Sequence, residues 1–221
     1  MKNKKSEIAM IVILTVISVL FIAPIIIVFM NSFKSKLYIN STPFALPNAD
    51  SFVKMANYGE GLIKTGFIQA FFITLFITVA SVVLIVLLTS MTAWYLVRVK
   101  SHFTKVLYYL FAFAMIVPFQ MVMFSLSKLA NMMHLSNPIG IILVYLGFGA
   151  GLAGFLFCGF VKSIPLEIEE AAMIDGCTPL QTFFQVVFPI MKPTTITVAI
   201  LQAMWIWNDY LLPYLVIGLS T

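Results

Sequence analysis

Long apolar runs separated by short polar stretches dominate this chain, and a helix needs about 20 apolar residues in succession to cross the hydrocarbon of a bilayer. Ile8–Met30 supplies one such run, and Phe67–Val97 a second that is longer than needed and so tilts or extends. Val106–Leu126 predicts a third span, Pro138–Val161 a fourth, and Thr195–Leu219 a fifth interrupted by Asn208 and Asp209. The pattern predicts an all-α, polytopic transmembrane helical bundle, read as a single domain over residues 1–221. The opening Met-Lys-Asn-Lys-Lys has the flank of a secretory leader. Ile8–Met30 is too long for the apolar core of one and lacks a small-x-small cleavage site, so a retained first helix is expected.

Composition agrees: the chain is 62% hydrophobic and 10% charged, against roughly 25% charged in soluble domains, and its mean hydropathy is +1.06. The net charge of +5 is scattered between apolar runs rather than gathered on one face, which argues against a nucleic-acid partner. The charges carry orientation instead. With the N-terminus in the cytoplasm, Lys2, Lys4, Lys5, Arg98, Lys100, Lys105, Lys162 and Lys192 lie inside, and Lys34, Lys36, Lys54, Lys64 and Lys128 outside. Cys158 falls in an apolar run and Cys177 in a polar loop, so no disulfide is expected between them, and no Cys/His spacing suits a metal.

Residues 31–66 form the one sizeable outer segment, with turns at Pro43, Pro47, Asn48 and Asp50 and a short surface helix over Phe52–Tyr58. A connecting loop and a surface for an external partner are equally consistent with these residues.

The segment 162–194 is different in kind, since Glu167, Glu169, Glu170 and Asp175 make up half of the eight acidic residues. Pro165 early in a helix, carboxylates in or just after its first turn and Gly176 beyond its end describe one short helix. Thr178-Pro179-Leu180-Gln181 then reads as a capping box opening a second, which should stop near Pro189, with Pro193 closing the loop. Ala171-Ala172 gives the first helix a small patch for close approach, and the carboxylates around it suit basic partner residues. On these grounds alone, a solvated amphipathic connector is as good a reading.

The run Ile164-Pro165-Leu166-Glu167-Ile168-Glu169-Glu170-Ala171-Ala172, followed by Asp175-Gly176, Phe183, Pro189 and Pro193, resembles the EAA loop of the permeases of binding-protein-dependent ABC importers. Cys177 stands where that family usually has alanine, and its small side chain fits the same place. The resemblance implies that Glu167, Glu169, Glu170, Ala171, Ala172, Asp175 and Gly176 dock a cytoplasmic ATPase. Pro118-Phe119-Gln120, Gly140–Tyr145 and Trp207-Asn208-Asp209-Tyr210 look like the second permease of carbohydrate importers of the maltose type. The resemblance further implies a second homologous permease, an extracytoplasmic binding protein, a bacterial cytoplasmic membrane and a sixth span beyond the five visible here.

No Gly-x-x-x-x-Gly-Lys-Ser/Thr phosphate loop occurs, so the expectation is a permease subunit without its own ATP chemistry and without cofactors. Polar groups in a span mark a substrate path or an interhelical contact. Asn208 and Asp209 are the first candidates for that path, then Gln120 and Gln202. The aromatic residues, among them Trp94, Trp205, Trp207, Tyr108, Tyr109 and Tyr145, suit sugar faces and lipid interfaces alike, and so identify no ligand. An importer for another solute, such as a glycerol phosphate, is the alternative. An ion-coupled transporter would need more intramembrane charge than Asp209. A membrane enzyme would need a convergent catalytic set, and a non-transporting scaffold would use the loop for some other partner.

Overall fold

The structure, a computed structural model, describes residues 4–218, with side chains from Glu7 onward. Among these residues it is helical throughout, with one isolated antiparallel bridge between Lys34 and Phe52. The chain divides into two compact units, Met1–Ala70 and Phe71–Thr221, where the sequence reads as one domain.

The first unit opens with α1 (Lys4–Asn31), apolar on every side and exposed along most of its length, as a helix surrounded by lipid must be. The polar segment after it is folded rather than loose. The short helices α2 (Lys36–Ser41) and α3 (Ala56–Lys64) flank a crossing where Ser35 donates to the Ser51 carbonyl at 2.9 Å and Val53 to Phe33 at 2.9 Å. Asn57 ties the crossing together by donating to the carbonyls of Ser32 and Lys34. Lys34, expected to be an outer surface charge, is 1% exposed and donates to the Thr42 carbonyl at 2.9 Å. The helix expected over Phe52–Tyr58 lies later, because Phe52 and Val53 are committed to the crossing and the chain first coils at Ala56.

The second unit is built on α4 (Phe67–Arg98) and α7 (Gly140–Val161). With Glu7–Asn31, these are the three helices among the described residues that are long and apolar enough to cross a membrane, or up to five if each of two bent pairs counts as one span. The buried face of α4 is Ile77, Thr78, Ser81, Ile85, Val86, Thr89, Ser90 and Ala93, a helical stripe in which small and polar residues are mixed with isoleucine and valine. Small residues also set the packing of α7. A Cβ on Gly151 would sit 3.2 Å from the backbone of Phe111 and Met115, so its absence lets α5 (His102–Ile116) press close.

Two expected spans are broken. Val106–Leu126 bends by 107° between α5 and α6 (Phe119–Met132), because Pro118 has no N–H to continue the ladder and holds Val117 extended at φ −71°, ψ 115°. The run Thr195–Leu219 is already helical from Lys192 as α11 (Lys192–Asn208), stops at Asp209, and restarts as α12 (Leu211–Val216). Leu219 lies outside the described residues.

The candidate docking loop and polar cavities

Between α7 and α11 the chain forms α8 (Leu166–Ile174), α9 (Pro179–Thr182), a π turn over Phe183–Val187 and α10 (Phe188–Ile190). Pro165 stands just before α8 in extended backbone rather than inside it. At the far end Gly176 has φ +93°, its N–H donates to Met173 at 3.1 Å, and that of Cys177 to Ala172 at 3.0 Å. This left-handed cap satisfies two terminal carbonyls and turns the chain out of the helix. Thr178 and Gln181 form the expected capping box. The second helix passes through Pro189 to Ile190, the wider π turn relieving the need for an N–H there.

The faces of α8 are unequal. Glu167, Glu170, Ala171, Asp175 and Gly176 are exposed, together with Ile168, Met173 and Ile174. Glu169 and Ala172, three residues apart and so on one face, point inward instead. Glu169 is 2% exposed. One carboxylate oxygen accepts from Arg98 Nη2 at 2.7 Å and Nε at 2.9 Å, and the other from the Trp94 indole at 2.9 Å. Arg98 also donates to the Ile164 carbonyl at 2.9 Å, so one guanidinium holds both the start of the loop and its first helix. Trp94 and Arg98 are four residues apart on the last turns of α4. Fully buried Phe183 packs its ring 5.5 Å from that of Trp94, which fixes the second loop helix to the same anchor.

This anchor was missed in the sequence, where Arg98 reads only as an orientation charge. The signal available was the spacing: Glu169 and Ala172 share a face that Glu167, Glu170 and Ala171 do not.

The four polar residues named for a substrate path do not form one cluster. Asn208 and Asp209 line a cavity of about 490 Å³ with Ile73, Thr78, Tyr145 and Tyr214. Asp209 lies at the helix break rather than mid-helix. One carboxylate oxygen accepts from the Leu211 and Leu212 N–H groups at 3.1 and 3.3 Å and so caps α12, while the other accepts from Tyr145 at 3.1 Å. Asn208 is exposed and donates to the Met204 carbonyl at 2.7 Å. Gln202, 2% exposed, lines a separate cavity of about 260 Å³ beside the Pro118 bend. Its Nε2 donates to the Gly149 carbonyl at 3.2 Å and its Oε1 has no partner among the described residues. Gln120 is exposed just beyond the bend and lines neither cavity. Thr78, buried on α4, carries a hydroxyl without a partner among the described residues at the Asp209 cavity.

Comparison with known proteins places these features. The chain is 42% identical over 203 residues to a probable starch degradation products permease of Thermoanaerobacterium thermosulfurigenes, covering 92% of this chain and 73% of that one. It is 33% identical to the multiple sugar-binding permease MsmG of Streptococcus mutans, covering 94% of this chain and 74% of that one. A crystal structure of a bacterial ABC transporter involved in import of the acidic polysaccharide alginate superposes with a TM-score of 0.82 at 27% identity, covering 97% of this chain and 75% of that one. Residues 85–221, which hold the loop, Gln202 and Asp209, match the family of inner membrane components of binding-protein-dependent transport systems, and the chain belongs to that family.

Proposed function

We propose that this permease moves a sugar or oligosaccharide inward by alternating access, paired with a second homologous permease and driven by separate ATPase subunits. The observation that carries the reading is the division of α8 into an anchored face and a presented face. Glu169 fastens the helix to α4 and Ala172 is buried on the same face, while Glu167, Glu170, Ala171, Asp175 and Gly176 form a firmly held surface for the ATPase. Glu169 thus moves from the docking set to the anchor, because its carboxylate is consumed by Arg98 and Trp94.

A lever of this kind works only if the ATPase contacts differ between its open and closed states, since a ligand shifts a conformational equilibrium only by its differential affinity. Movement of α8 would pass through the Arg98–Glu169 anchor into α4, whose opposite end lines the Asp209 cavity at Ile73 and Thr78. The orientation with the N-terminus inside is supported by the meeting of Arg98, Lys100, Lys105 and Lys162 around one end of this unit.

The sugar assignment is supported by relatives whose names specify starch degradation products, diacetylchitobiose and melibiose, raffinose and stachyose. The test is uptake of labelled oligosaccharides into vesicles carrying the complete set of subunits. ATP-dependent accumulation of a malto- or galacto-oligosaccharide is expected. Uptake of a glycerol phosphate with no response to any sugar would overturn the cargo while leaving the permease reading in place.

A further inference from the structure

We propose that the cleft at the corner between α4 and α5 holds the headgroup of an anionic phospholipid. It has a volume of about 750 Å³ and is lined by Lys100, His102, Lys105, Tyr108, Tyr109 and Lys162, within the roughly 300–1,000 Å³ typical of small-ligand sites. No carboxylate lines it, and none of its lysines is paired with one among the described residues. Arg98 also borders the cleft, but its guanidinium is spent on Glu169 and Ile164, which keeps it from closing over the space. Lys162 is held in position by the Tyr108 ring, its ammonium 5.0 Å from the ring centre. The N-terminal end of α5 opens onto the same space and adds its own positive potential.

Charge alone would serve any phosphate, but the walls single out a lipid. From the cleft, Phe103, Val106, Leu110 and Phe113 continue down α5 as an exposed apolar stripe, with Tyr109 between the charged and apolar parts. A headgroup among the lysines therefore has a track for its acyl chains, which a free anion does not need. The cleft closes the polar end of α4 and α7, where interfacial tyrosines and lysines meet headgroups.

The test is native mass spectrometry of the full chain titrated with phosphatidylglycerol or phosphatidylcholine. Saturable retention of phosphatidylglycerol alone is expected, weakened roughly tenfold or more in a Lys105→Gln/Lys162→Gln variant. A Lys105→Arg/Lys162→Arg variant should bind as well as the parent, and a Lys54→Gln/Lys128→Gln variant, altered away from the cleft, should be unchanged. Equal retention of the two lipids overturns the proposal, as does equal loss in the two glutamine variants. Displacement of the lipid by inorganic phosphate would also overturn it, marking a site for free anions. Unchanged helical circular dichroism in the glutamine variants separates lost binding from lost folding.

Discussion

Of the carboxylates in the second unit, Glu169 and Asp209 are held in opposite ways. Glu169 is sealed from solvent and meets a full positive charge and an indole N–H. Asp209 is half-buried and, among the described residues, accepts from a tyrosine hydroxyl and two backbone amides, with a cavity in front of it. The first arrangement makes a fixed joint, because breaking a buried ion pair strands a charge at a cost of about 3–5 kcal/mol. The second leaves a polar wall that exchanges partners at less cost, since a single hydrogen bond to a charged group is worth about 1.5–3 kcal/mol net and the 3.1 Å bond from Tyr145 is a long one. The α4 positions bordering the two sites, Thr78 and Arg98, are about 30 Å apart along the helix at its standard rise. One rigid helix therefore connects a stiff joint to a yielding wall, the order a lever needs.

The largest effect should come from breaking the joint. Arg98→Ala is expected to cost about 3–5 kcal/mol, to expose the loop to protease and to abolish ATP-coupled uptake. Glu169→Ala should do nearly as much, and the two losses should not add, which a double-mutant cycle read by thermal unfolding would reveal. Next in size is the turn after α8. Gly176→Val places a β-branched residue at φ +93°, a strain of order 1–3 kcal/mol. Since a Cβ there would meet nothing within 4 Å, the strain is conformational, and Gly176→Asn should restore much of the ATPase association measured by co-purification.

A smaller effect is expected at the yielding wall. Tyr145→Phe removes one hydrogen-bond donor from Asp209 and leaves the cap of α12 intact, costing about 1.5 kcal/mol, the low end for a bond to a charged group. The comparison is sharpened if uptake then shows an altered apparent affinity with ATPase association unchanged, and broken if association falls. Smallest of all is Glu60→Gln on α3. The exposed Lys64 ammonium beside Glu60 holds its carboxyl below the ordinary value, yet both side chains face solvent. No change in thermal stability is expected from that variant.

The loop was largely legible in the sequence because its signals are local. A proline before α8, a glycine at its left-handed end and a capping box at Thr178 each act within a few residues, and each stands where expected to within one position. What escaped was non-local. Nothing near Arg98 announces that it will meet Glu169, 71 residues later. The spans divide the same way: apolar length predicts α1, α4 and α7, but Val106–Leu126 looks continuous to any count of apolar residues. Only Pro118, through its missing N–H, carries the warning of the 107° bend. The position of Asp209 in an apolar run suggests mid-span, whereas the residue ends one helix and its side chain caps the next.

The presented and anchored faces of α8 can be told apart directly by cysteine cross-linking to the ATPase in membranes holding the complete transporter. Cys177 would first be replaced by alanine, leaving only buried Cys158. Ala171→Cys is then expected to cross-link to the ATPase subunit, while Ala172→Cys, turned toward the protein, stays unreactive. Equal cross-linking from both positions, or cross-linking from Ala172→Cys alone, would contradict the anchored-lever account.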